Sequence, residues 1–197
     1  MTISVRYTVP TLFVSLAALS VPTALAGCGG GGTTTVVEET TPVQQTQAQT
    51  PLIIGGSQSN FGGAEIATGF LPDPHQVQIV SGATPTDAVD INAISLAPVN
   101  SGACRGYSTR EPDYIVRVTQ PGQLLRFFVN APGDTTLVIN DGAGRWWCSD
   151  DDGGNLNPLI DITNPPAGQY DIWVGSYQAG ANIQGVLSVS ELQSSTP

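Results

Sequence analysis

The sequence contains no lysine, a single histidine, a single methionine and three cysteines in 197 residues, and it has no long run of helix-forming residues. Without lysine, six arginines face sixteen acids, and the net charge is −10. Binding to a phosphate backbone relies on a basic stripe that releases counterions, so this composition argues against nucleic acid as a partner. It suits solubility, a cation or a basic partner instead. One histidine also rules out a His-rich hydrolytic zinc centre. A Ser–His–Asp triad would have only His75 as its base, at a strand entrance after a proline turn, and no serine sits in a nucleophile elbow. The chain is therefore expected not to be an enzyme. A glycosidase pair drawn from Asp134 or Asp141 and Asp150 to Asp152 is opposed by the clustering of those acids, because such a pair needs one carboxyl raised by an apolar wall.

What is abundant is Gly and Pro, with 23 and 15 residues, a composition that favours strands joined by many turns. Residues 1–27 read as a secretory signal: Arg6 in the first segment, an apolar stretch from Tyr7 to Leu25, then small residues. Pro10 and Pro22 keep any continuous helix below the roughly 20 residues of a membrane span. The end of this leader, Leu25-Ala26-Gly27-Cys28, resembles a bacterial lipobox, which implies cleavage before Cys28 and acylation of its thiol. Each buried methylene of an acyl chain adds about 0.8 kcal/mol, so several chains make a firm anchor. Gly29 stands where an Asp would favour inner-membrane retention, and in a Gram-negative host the resemblance implies the outer membrane. With Cys28 consumed by lipid, Cys104 and Cys148 remain as a pair, and an oxidising compartment suits a disulfide between them.

Residues 28–63 are rich in Gly, Thr and Gln without apolar periodicity and are expected to form a flexible linker. Residues 64–192 change character, with apolar positions alternating between Gly, Pro, Asn and Asp clusters, and residues 193–197 are expected to be a disordered tail. Strands are expected near 65–70, 75–82, 114–119, 123–131, 135–140, 144–149, 158–163, 168–176 and 184–192, with a long loop or a strand between Thr84 and Gly102. The fold class is all-β, a jelly-roll-like β-sandwich.

Three segments carry a family resemblance: Asp134-Thr135-Thr136-Leu137, the acidic turn Cys148-Ser149-Asp150-Asp151-Asp152, and Gly168-Gln169-Tyr170-Asp171-Ile172-Trp173-Val174-Gly175. Over about residues 112–192 the chain resembles the bacterial pre-peptidase C-terminal (PPC) domain, a small jelly-roll sandwich commonly appended to secreted enzymes. The pattern departs from that family's usual setting because no protease precedes it in this sequence.

Two candidate sites follow from the residues themselves. Asp150, Asp151, Asp152 and Asn155 form a Gly-rich acidic loop, and Asp134 and Asp141 bracket the neighbouring strand; this set is expected to bind calcium, which takes six to eight oxygens in irregular geometry. It is not an EF-hand, because Cys148 and Leu159 stand where that loop needs acids. Adjacent Trp146 and Trp147 on one strand must point to opposite faces. One is expected in the core and the other, Trp147, is expected to join Trp173 in an exposed aromatic surface for carbohydrate or protein. The function expected overall is a lipid-anchored, non-catalytic module binding an envelope or extracellular partner, against a structural envelope protein without a ligand or a secreted hydrolase.

Overall fold

Alternation decides the strands. In Tyr114–Gln120, residues Tyr114, Val116 and Val118 turn inward while Arg117 and Thr119 reach solvent. The computed structural model describes residues 51–197; Cys28, the leader and the first part of the linker lie outside them. Its strands are β1 (Gly63–Ala67), β2 (His75–Val80), β3 (Val89–Asp90), β4 (Tyr107–Ser108), β5 (Tyr114–Gln120), β6 (Leu124–Asn130), β7 (Thr135–Asn140), β8 (Trp146–Ser149), β9 (Leu159–Thr163), β10 (Gly168–Ser176) and β11 (Gln184–Ser190). The nine expected strands are present. The stretch between Thr84 and Gly102 holds only the two-residue β3 and a 3-10 turn at Ile91–Ala93.

These strands make an all-β sandwich. A four-stranded sheet runs β2-β11-β6-β9 and a seven-stranded sheet is built around β10. One edge of β10 pairs with β5 along Gly168–Ile172 and then with β4 at Ser176; the other edge pairs with β7, which in turn pairs with β8. β1 joins the far side of β5 in parallel. Between the sheets lies the main core, including Val116, Phe127, Val129, Leu137, Ile139 and Tyr170. The Phe127 and Tyr170 rings stack across it at 5.9 Å.

A second core covers the outer face of the seven-stranded sheet. Val138, Cys148 and Trp173 point outward and are buried by Leu52, Val89 and Ile91, with Trp146 packed alongside. Two segments therefore cover this face: residues 51–62 and the excursion 81–106, whose only strand is the two-residue β3. This corrects two boundaries. The folded unit begins by Pro51, inside the expected linker, because Leu52 is 3% exposed, Ile53 N donates to Arg110 O at 2.8 Å and Phe61 N donates to Asp113 O at 2.8 Å. The expected tail is held as well: the Arg126 guanidinium pairs bidentately with Asp161 at 2.7 and 2.6 Å, and its remaining nitrogen donates to the carbonyls of Gln193 and Ser195.

Asp113 fastens the first of these segments. Between the ends of β5 and β4, one edge of β10 lacks a strand partner, and there Val174 N donates to Asp113 Oδ2 at 2.7 Å. Asn60 Nδ2 donates to Asp113 Oδ1 at 2.9 Å. Burial pushes this carboxyl up from 3.8 to about 7, against the lowering effect of those two donors. A folded pKa above the unfolded one gives stability that is complete below about pH 4 and is lost as the pH climbs through about 7. The melting temperature is therefore expected to fall between pH 4.5 and 7.5. Asp113→Asn should flatten that slope while lowering stability throughout, because an amide cannot accept both bonds; an unchanged slope in the variant would count against Asp113 as its source.

Candidate functional site

The excursion that closes the second core also shapes a groove. Its volume is about 1020 Å³, and Trp146, Ile94, Asp87, Asp90, Arg110 and Glu111 are among its lining residues. Trp146 packs on Trp173 with ring centroids 5.8 Å apart and an interplanar angle of 37°. Asp90 is half committed, its Oδ1 capping the 3-10 turn through Asn92 N at 2.9 Å. The lining thus mixes aromatic and aliphatic side chains with charged ones.

Around Cys148 the excursion is fixed to the sheet in three ways. Cys104 and Cys148 form a disulfide, with Cα atoms 5.0 Å apart. Asn100 Nδ2 donates to Cys148 O at 2.7 Å and Cys148 N donates to Asn100 Oδ1 at 3.2 Å, so one side chain imitates a strand pairing. Gly102 passes so near that a Cβ would lie 1.8 Å from Cys148 O, a position only glycine can occupy.

The expected aromatic surface is not formed. Trp173 is fully buried in the second core, because β10 turns it toward the face that residues 51–62 and the excursion cover. Trp147 lies on the opposite face against the main core, with its Nε1 donating to Asp141 at 2.9 Å and Arg145 over its ring at 5.4 Å. It is Trp146 that lines the groove. The alternation showed that the two neighbours part; which face would be covered depended on a segment far earlier in the chain.

The acidic residues also separate. Asp134, Asp150 and Asp151 each bring a carboxylate oxygen to within 4.8 Å of the others. Asp141 does not join them: it lies beyond the other end of β7, about 23 Å away at the rise of a strand. Its carboxylate accepts from Ala143 N, Arg145 N, Arg145 Nε and Trp147 Nε1 and organises the β7–β8 turn. Burial pulls its pKa up, yet these donors together hold it below the usual carboxylate range. Asp152 stays outside the triad with Oδ2 bound by Ser149 Oγ at 2.8 Å. Asn155 shapes the turn in the left-handed region at φ 53°.

Within the triad, Asp150 is 8% exposed and pairs with Arg105 at 3.3 Å through Oδ2. Burial and then the charge of Asp151 raise both the Asp134 and the Asp150 carboxyl, with Arg105 opposing the rise at Asp150. His75 is occupied elsewhere, its Nε2 2.9 Å from the Tyr114 hydroxyl. Compared with known proteins, the chain matches no family model, and no curated protein or solved structure matches it.

Proposed function

We propose that this chain is an exported bacterial lipoprotein, acylated at Cys28, whose PPC-like β-sandwich holds a neutral glycan of the envelope or the extracellular space in the groove beside Trp146. The groove carries this reading. It is of the size and mixed lining of a small-ligand site, with apolar residues and a few polar groups. An indole offers a surface for the C–H face of a sugar, and Arg110, Glu111 and Asp87 offer donors and acceptors for its hydroxyls. Three carboxylates against one guanidinium in the wall, on a chain of net charge −10, disfavour a polyanionic glycan. The module acts by holding its ligand, without catalysis, and outer-membrane placement follows from Gly29 in a Gram-negative host.

The test is binding of the full chain to a panel of neutral and anionic polysaccharides. Arg110→Ala and Glu111→Gln, which change side chains lining the groove and keep the Arg110 carbonyl that Trp173 binds, should each weaken retention of the neutral ligand about tenfold or more, as loss of a hydrogen bond to a charged group does. Retention of no glycan by the wild type would return the chain to a structural role in the envelope. Selective retention of extended peptides would reassign the groove to protein.

A further inference from the structure

We propose that Asp134, Asp150 and Asp151 form a calcium site at the end of β7, independent of the ligand held in the groove. The three carboxylates converge, as described, but the argument rests on what surrounds them. Among the described residues, four buried side-chain atoms have no hydrogen-bond partner: Asp134 Oδ1, Thr136 Oγ1, Asn140 Nδ2 and Asp150 Oδ1. Two of the four, Asp134 Oδ1 and Asp150 Oδ1, belong to the cluster. Thr136 Oγ1 lies instead against Gly106 and Gly175, toward β10. Asp150 is itself 92% buried, the complement of its 8% exposure. Orphaned buried oxygens are rare in folded proteins and call for an unseen partner.

The partner's chemistry follows from the donors. All are oxygens, and none of the cluster is sulfur or nitrogen, which favours a hard cation over zinc or copper. Three carboxylates with the Arg105 guanidinium on Asp150 leave two negative charges, matched by one divalent ion. Calcium accepts an irregular carboxylate set completed by water, whereas magnesium demands a near-ideal octahedron. Asp151, which is exposed, leaves the side open to solvent from which such water would come.

The experiment is thermal unfolding of the full chain in millimolar calcium, in millimolar magnesium and in excess chelator, with equilibrium dialysis to count bound calcium. Calcium should raise the melting temperature by about 5 °C or more once it is in hundredfold excess over its Kd, and dialysis should find one ion per chain. Asp134→Asn and Asp150→Asn should each abolish the calcium shift and yet melt higher than wild type in chelator, because each removes like-charge repulsion. That reversal is not expected of a merely structural acid. Asp152→Asn, outside the triad, should keep the full calcium shift. Equal melting of wild type in calcium and chelator, an equal shift by magnesium, a calcium shift surviving in both triad variants, or no ion found by dialysis would each overturn the site.

Discussion

Replacing Trp173 by alanine is expected to cost the domain about 3–5 kcal/mol, the range seen when a large aromatic is removed from a packed core. The indole is fully buried, leans on Trp146, and donates from Nε1 to Arg110 O at 3.3 Å. Its loss would open a cavity between Val138, Leu52 and Ile91 and leave that carbonyl with Ile53 N as its remaining donor. The urea midpoint is the measurement, with the denaturant slope compared so that a change in compactness is recognised. Trp173→Phe should recover much of the loss. A cost below about 1 kcal/mol for the alanine variant would mean that residues 51–62 and the excursion do not pack on β10 as described.

The second large effect is expected from the disulfide. Cys104 and Cys148 are 44 residues apart, and closing a loop of that length removes denatured-state entropy equivalent to about 4 kcal/mol. The double variant Cys104→Ser with Cys148→Ser should lose up to that amount against the oxidised protein. Reductant should lower the wild-type urea midpoint and leave the double variant unmoved. The Asn100 clamp on Cys148 remains in both, so the excursion should keep its place in the folded state and the loss should appear as stability. If reductant shifts the double variant as far as the wild type, the effect does not come from this bond.

The fold was largely legible because the sandwich writes itself in alternation. Tyr114, Val116 and Val118, or Tyr170, Ile172 and Val174, mark the inward faces without help from the rest of the chain. β3 and β4 were not legible, since two residues cannot show a period; β3 pairs with β4 alone, and β4 lies between β3 and the last residue of β10. The pairing of Cys104 with Cys148 followed from counting. Trp173 was misjudged because alternation states that a residue leaves the main core but not that something else awaits it. Leu52 and Ile91, which cover it, come from segments whose composition reads as loop. Asp134 and Asp141 looked equivalent as brackets of one strand, and the length of that strand is what divides them. Asp113 carried no signal at all, since its role arises from a gap in pairing along β10.

The two sheets are dressed unequally, and this gives the domain a sidedness. The outer face of the seven-stranded sheet carries the groove, the disulfide and the incoming chain at Pro51, with the acidic triad at its rim. On the four-stranded sheet, Arg126 draws the last residues across β6, but β2 shows Gln76 and Gln78 to water. A fluorophore or crosslinker placed at Gln78 would therefore stand back to back with anything seated in the groove. The groove opens on one face only, so a ligand held there as proposed would face away from the four-stranded sheet.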